Sequence, residues 1–319
     1  MKKIKRMLKK IDWIYRAHKK WKYRNYIDKH AIVHLAENID GKDKVAVILA
    51  GYKEELWEEV FRRISSFLPK DYDVCIVSSG KYSEQLLEIA RNNGWTYISL
   101  KRNNVCAALN TAISYFSSGK YFLKIDEDIF ISEHTVKNLE LAYCSSSLEY
   151  NPGFMAPLIP INGFGYVEIL KRFGCIRDYN HRFGDIRYSA GSDTQVESNP
   201  EVAKYLWKIK GLDQMDDELN QDEFNQVSCP IRFSIGIIYF ERSLWEDMDG
   251  FYVTPRGNGL GLDEEQIDTF CMLKSRPMMV SKNSIAGHLG FGKQNQEMYN
   301  FYRNNKNIFE ANFIIKLAT

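Results

Sequence analysis

Asp126-Glu127-Asp128 is the triplet with the most obvious chemical capacity in the 319-residue chain. It directly follows an apolar run, Tyr121-Phe122-Leu123-Lys124-Ile125, and precedes Ile129-Phe130. Three carboxylates at a strand end repel one another and lose hydration, so a cationic partner is expected there. In extended backbone the side chains alternate, which puts Asp126 and Asp128 on one face and turns Glu127 away. Two carboxylates on one side suit a hard divalent cation, Mn2+ or Mg2+, which takes oxygen ligands and bridges diphosphate oxygens. Without any chemistry, the same acids would cap a helix over residues 132–141 or sit as solvated loop charge. A second acidic group, Asp263-Glu264-Glu265, opens an expected helix, where the macrodipole favours acids for structural reasons alone. His288 stands in Ala286-Gly287-His288-Leu289-Gly290. A neutral imidazole there can complete a metal shell, and the flanking glycines would let backbone approach phosphates closely. A lone histidine is more often structural.

The elements that must position these residues are legible as a strand–helix alternation beginning near residue 44. Val45-Ala46-Val47-Ile48-Leu49-Ala50 is a continuous apolar run, the mark of a parallel strand buried on both faces, and Gly51 ends it. Leu56, Val60, Ile64 and Phe67 then recur at helical spacing. Residues 74–77 form a second strand, Leu86, Leu87 and Ala90 a second helix, and Gly94 sits where a helix C-cap belongs. A third strand over 95–100 and a helix from Val105 to Phe116 lead to the fourth strand, which runs into the acidic triplet. Such repeats imply a doubly wound, mostly parallel sheet flanked by helices, with ligands at the strand carboxyl ends. Neither GxGxxG nor GxxxxGK[ST] follows the first strand, so dinucleotide and P-loop readings are disfavoured.

Downstream the pattern is less regular. Residues 155–160 read as a strand end, 234–240 as a buried strand, 264–273 as a helix and 278–280 as a short strand. Residues 176–229 are polar and read as an insertion or mobile loop region. Lys293, Tyr299, Tyr302 and Arg303 read as a surface helix, with an ordered flap as the alternative. The domain division expected is a basic segment over 1–40 and an α/β body over 41–319, with halves 41–150 and 151–319.

Charge is unevenly spread. Residues 1–30 carry 12 Lys/Arg against two Asp, a local net of +10, whereas the remainder carries a net of −8. Ile4, Met7, Leu8, Ile11, Ile14, Tyr15 and Trp21 recur at three- and four-residue steps among those lysines, the pattern of a basic amphipathic helix. Such a helix suits an anionic membrane surface; packing on its own body or on a second subunit in an oligomer is the plain alternative. A basic arm on an acidic body is not a nucleic-acid footprint. No apolar stretch reaches the roughly 18–20 residues of a membrane span, and no signal-peptide core follows the N-terminal charges. Six cysteines stand apart without CxxC spacing, which implies free thiols and a cytoplasmic location; the basic helix, where it meets a membrane, would make the attachment peripheral at the inner face of the cell membrane.

With the acidic triplet placed at the end of a fourth strand, the chain resembles the GT-A glycosyltransferases, particularly the large, mostly inverting family 2. The resemblance runs from Val45 to Asp128 and again from Ser234 to about Gly292. Residues 45–52 look like that family's opening strand and nucleotide-binding turn, and Val77-Ser78-Ser79-Gly80 stands where a base-binding turn is usual, though without its acidic residues. Asn104 to Asn110, with Ala108 between, resembles the segment ahead of the acidic strand. By resemblance, Ala50, Gly51, Tyr52, Ser78, Ser79, Lys101, Arg102, Asn110, Asp126 and Glu127 would meet the nucleotide sugar. Lys101 and Arg102 would neutralise diphosphate, or are simply a solvated basic turn. Asp128, with His288 and Asp126, would hold the metal.

Gly261-Leu262-Asp263-Glu264-Glu265-Gln266-Ile267 falls at the family's catalytic acidic motif. Aligning Ile267 with the family's leucine puts Glu264 at the base position, with Asp263 next and then Glu265; glutamate replaces the usual aspartate. The implied activity is metal-dependent, inverting transfer of a hexose from a nucleoside diphosphate sugar, commonly a UDP-sugar, to a hydroxyl of a glycan or lipid-linked acceptor. Bacterial surface-polysaccharide synthesis is the implied setting. The rivals are a sugar-nucleotide nucleotidyltransferase, which would need a glycine-rich basic loop where Gly51-Tyr52-Lys53-Glu54 stands, and a non-catalytic nucleotide-sugar-binding scaffold.

Overall fold

Val45, Ala46, Val47 and Ile48 are buried on both faces, as an apolar run inside a parallel sheet requires. They lie in a computed structural model that describes Ala17 and residues 34–191 and 194–311. The basic helix expected over residues 1–30 lies outside the described residues, Ala17 apart.

The N-terminal part begins with β1 (His34–Ala36) and β2 (Lys44–Leu49) and continues through α1 (Glu54–Phe67), β3 (Tyr72–Ser79), α2 (Glu84–Asn93), β4 (Thr96–Leu100), α3 (Val105–Tyr115) and β5 (Tyr121–Asp126). Side-chain caps set two of these helices. Ser83 Oγ accepts from Leu86 N, and Asn104 Oδ1 accepts from Ala107 N at 2.9 Å. Gly94, at φ 66°, ends α2 in the left-handed conformation that favours glycine. β3 pairs in parallel with β2, β4 with β3, and then β5 returns to the other edge of β2. Strand order therefore reverses between β2 and β5, and a crevice opens at their carboxyl ends. Gly51 and Asp126 both lie at that crevice.

The other half comprises β6 (Ile129–Ile131), α4 (Thr135–Ser147), β7 (Phe154–Leu158), α5 (Gly165–Arg172), α6 (Ile176–Phe183), α7 (Gln195–Ser198), α8 (Pro200–Lys208), α9 (Leu212–Gln221), β8 (Gln226–Ser228), β9 (Ile237–Glu241), α10 (Arg242–Asp247), α11 (Leu262–Leu273), β10 (Met278–His288), α12 (Asn295–Asn304) and α13 (Lys306–Phe309). The sheet runs β1-β4-β3-β2-β5-β9-β7-β10-β6, with β8 on β10. The β4-β3-β2-β5 block is parallel, as expected. β9 is antiparallel to both β5 and β7, and β6 and β8 are antiparallel to β10, so the whole sheet is mixed.

Two expectations need correction. Residues 176–229 are not a loop region: they hold α6, α7, α8, α9 and β8. Val202, Leu206, Trp207, Leu212, Met215 and Leu219 supply a buried stripe there, too sparse to stand out among the intervening charges. The strand expected over 278–280 extends to His288. Asn283 and Ser284 in its polar middle are buried and bonded rather than solvated: Asn283 Nδ2 donates to Leu219 O at 2.9 Å, and Ser284 Oγ to Thr135 O at 2.8 Å. α8 braces the far end of β10. Trp207 Nε1 donates to His288 O, and a Cβ at Gly287 would lie 2.3 Å from the Trp207 ring.

Arg63 ties these layers together. Its fully buried guanidinium bonds Ile131 O of β6, Phe309 O of α13, Asp213 of α9 and Glu59 one turn earlier. Replacing it leaves buried acceptors without a donor. Arg63→Met is therefore expected to lower unfolding free energy by about 3–5 kcal/mol, read as a shifted urea midpoint. A midpoint equal to the wild type would show the network to be unimportant.

Candidate active site

Glu127 builds the floor of the crevice. Its Oε2 accepts from Gly51 N (2.8 Å), Lys53 N (3.0 Å) and Trp57 Nε1 (2.7 Å), and its Oε1 from Tyr52 N (3.0 Å). Three successive amides thus cup one carboxylate, an anion nest filled from within the protein. Glu127 was expected to meet the donor. With both oxygens engaged and 7% exposure, it instead fastens the turn after β2 to the end of β5.

Asp128 sits beyond it, 2% exposed. Pairing of β6 with β10 sets His288 opposite Ile129, and Leu289 N donates to Asp128 O at 3.2 Å. His288 Nε2 consequently lies 3.0 Å from Asp128 Oδ2, although 160 residues separate them in sequence. Lys53 Nζ, from the turn held by Glu127, pairs with the same oxygen. Burial by itself would raise the Asp128 pKa, but the Lys53 charge and the His288 contact outweigh it and hold the carboxyl well below its usual range. Burial likewise works against the Lys53 ammonium, and Asp128 more than compensates, so its pKa rises. Phe291 packs edge-on against the imidazole, with centroids 4.6 Å apart.

Asp126 faces the neighbouring part of the cleft. Lys124, buried two residues earlier on the same strand face, places Nζ 2.8 Å from Asp126, 2.6 Å from Ile235 O and 4.0 Å from Asp263 Oδ2. Desolvation pushes Asp126 up to about 6, with Lys124 opposing. Asp263, buried in the first turn of α11, thus meets the acidic triplet through one lysine. Glu264 pairs with Arg232; burial raises its pKa while the guanidinium pulls it back. Glu265 is exposed.

Asp126, Asp128, His288, Asp263 and Glu264 are therefore brought to one crevice, with Lys53, Lys124 and Arg232 as their partners. None of these three basic residues was anticipated. Lys124 did carry a signal, a charge inside a strand otherwise buried on both faces. Asp268, a turn beyond Glu264, and Glu197, near the start of α8, were also missed. Each has one buried carboxylate oxygen without a hydrogen-bond partner.

Other expected donor contacts look elsewhere. Ser78 is fully buried, its Oγ donating to Lys81 O (2.6 Å) and 2.9 Å from Tyr97 OH. Ser79 Oγ accepts from Asn104 N. Asn110 Oδ1 accepts from Trp245 Nε1 and Phe251 N, and its Nδ2 donates to Phe251 O, so its amide is fully engaged in packing. These placements share one cause: polar side chains at buried positions bond the protein groups around them. Ala50 is buried, whereas Tyr52 is exposed at the rim, its hydroxyl on Ser79 O. Lys101 is exposed, and Arg102 reaches Thr254 O.

Residues 46–144 match the family model for glycosyl transferase family 2. Over that segment the chain is similar to that family. The matched segment spans β2 to α4 and includes the whole acidic triplet. No curated protein matches the sequence. Among solved structures, the chain is similar to the mannosyltransferase PcManGT from Pyrobaculum calidifontis, in complex with GDP-Man and Mn2+, at 14% identity and TM-score 0.45, covering 88% of this chain and 66% of that one. It is also similar to GalNAc-T7 with UDP, GalNAc and Mn2+, at 11% identity and TM-score 0.46, covering 79% and 45%. A third is S. aureus TarS 1-349, at 12% identity and TM-score 0.44, covering 83% and 64%. The chain thus spans less than two thirds of the length of each. Among the described residues, no helix is long and apolar enough to cross a membrane.

Asp268 offers a test of the cleft's electrostatics. Its Oδ2 accepts from Phe233 N, and desolvation pushes its pKa up to about 7. A carboxyl whose pKa is higher folded than unfolded favours folding fully below about pH 4, and that contribution is lost as pH rises towards 7. Asp268→Asn should therefore match the wild type near pH 4 and exceed it by about 1–3 kcal/mol at pH 8 in urea unfolding. A difference that does not vary with pH would contradict this.

Proposed function

We propose that the protein is a metal-dependent glycosyltransferase that moves a sugar from a nucleoside diphosphate sugar to an acceptor hydroxyl. One observation carries the reading: Asp128 and His288, far apart in sequence, converge beside Asp126 at the strand-order reversal, across from Asp263 and Glu264. The donor set fits a hard to borderline divalent cation, since it offers a buried carboxylate and an imidazole within contact distance, with a second carboxylate adjacent. Asp128 and His288 would hold Mn2+ or Mg2+, with Asp126 beside it. Bound there, the ion would neutralise the diphosphate of the leaving nucleotide.

The remaining work falls to the chain's own groups. Glu264 accepts the proton of the acceptor hydroxyl; its burial keeps the carboxylate basic, and Arg232 fixes its orientation. Asp263, held at Lys124, is the alternative base, and exposed Glu265 is the least suited. Tyr52 and Tyr252, both exposed, offer ring faces for a base or a sugar. A UDP-hexose donor, inversion, and a glycan or lipid-linked acceptor in bacterial surface-polysaccharide synthesis follow from the family resemblance. The basic segment over residues 1–30 supports contact with an anionic membrane surface. A nucleotidyltransferase reading is disfavoured because the amides after β2, where such an enzyme would cradle phosphate, already cup Glu127.

Thermal-shift screening of nucleotide sugars with and without Mn2+ tests the donor, because binding raises the melting midpoint by mass action. Asp128→Asn should abolish the Mn2+-dependent part of that shift and lower transfer on the order of 10^2- to 10^3-fold with unchanged far-UV circular dichroism. Wild-type turnover in this variant would remove the metal assignment. Glu264→Gln should keep the donor-induced shift yet slow transfer by about 10^2- to 10^4-fold. An unaffected rate there, with loss in Asp263→Asn, would move the base by one residue.

A further inference from the structure

Lys53 occupies a position that the proposed function leaves unexplained. Its ammonium and His288 Nε2 both address Asp128 Oδ2. A cation shared between Asp128 and His288 needs that same oxygen. The lysine is not a casual surface neighbour. Its amide is fixed on Glu127 Oε2 at 3.0 Å, and α1 begins at the next residue, so the root of the side chain is rigidly placed. Its side chain retains 26% exposure, against 2% for the carboxylate it covers. The flexible four-carbon stem therefore has a way out, and Asp128 has none.

We infer that Lys53 is the resident counter-ion of the metal position, and that a divalent ion reaches Asp128 only by displacing its ammonium. This rests on the metal-bearing reading of the site. A buried carboxylate with no cation is costly, and Lys53 removes that cost in the metal-free protein. A divalent ion brought to the same oxygen is repelled by the ammonium at contact distance, so the two exclude each other. The displaced ammonium would stay tethered beside the cleft, free to pair with an anionic group of the nucleotide, so Lys53 is a positioning residue that tunes metal affinity. Free metal should bind weakly until the nucleotide supplies a new partner for the lysine.

The test is Mn2+ binding without nucleotide, followed by electron paramagnetic resonance of the free ion, for the wild type, Lys53→Met, Lys53→Gln and Asp128→Asn. Folding is checked by circular dichroism, and the glutamine variant serves where the methionine one misfolds. The expected result is Mn2+ affinity about ten-fold or more tighter in the Lys53 variants than in the wild type, and none in Asp128→Asn. Their metal-free melting midpoints should fall and recover with Mn2+; a purely structural lysine would lower the midpoint without tightening the metal. Equal or weaker Mn2+ binding in both Lys53 variants, with binding still lost in Asp128→Asn, overturns the inference and leaves the metal reading standing. No Mn2+ binding by the wild type or by either Lys53 variant overturns the metal reading itself, and this inference with it. Binding by the Lys53 variants alone upholds the inference, since Lys53 then keeps free Mn2+ from the wild-type protein until nucleotide is present.

Discussion

The carboxylate of Glu127 under the amides of Gly51, Tyr52 and Lys53 is the contact on which the site's geometry depends. Where strand order reverses, sheet pairing joins β2 to β5 only as far as Leu49 and Asp126, and something else must fasten the two turns that follow. A charged acceptor of four N–H donors does so, each bond being stronger than one between neutral groups. It also orients α1 through Trp57 and so determines where Lys53 points. The middle residue of the triplet builds the cleft, and its two neighbours face into it.

Around that anchor the charges are arranged in small neutralising groups: Lys53 with Asp128 and His288, Lys124 with Asp126 and Asp263, Arg232 with Glu264. The arrangement answers a single difficulty. Carboxylates gathered in one cleft and shielded from water would otherwise take up protons. Asp128, with two partners, is held ionised, whereas Asp126 and Asp268 drift upward because desolvation exceeds what their partners return. The helices between residues 176 and 229 support the same cleft, since α8 packs Trp207 against Gly287 and bonds the carbonyl of His288.

Much of the N-terminal part was legible. The run at Val45, the helical spacing of Leu56, Val60 and Ile64, and the glycine cap at Gly94 are local signals, and the observed elements agree with them within a few residues. The other half was harder, because its strands are completed by distant partners. Ser281 to Ser284 looked like the end of a strand until Asn283 met α9 and Ser284 met α4. Residues 176–229 looked unstructured because their helices bury only one narrow stripe each.

The sequence by itself determined the alternation of elements, the placing of Asp126-Glu127-Asp128 at a strand end, and the acids that open α11, since these depend on side-chain period and on neighbours a few residues away. Only the tertiary structure decided what Glu127 bonds once it turns away, how close His288 comes to Asp128, and that Lys53 covers the oxygen they share. Those outcomes depend on hydrogen bonds and charges joining residues 70 to 160 positions apart, for which no local pattern carries a trace.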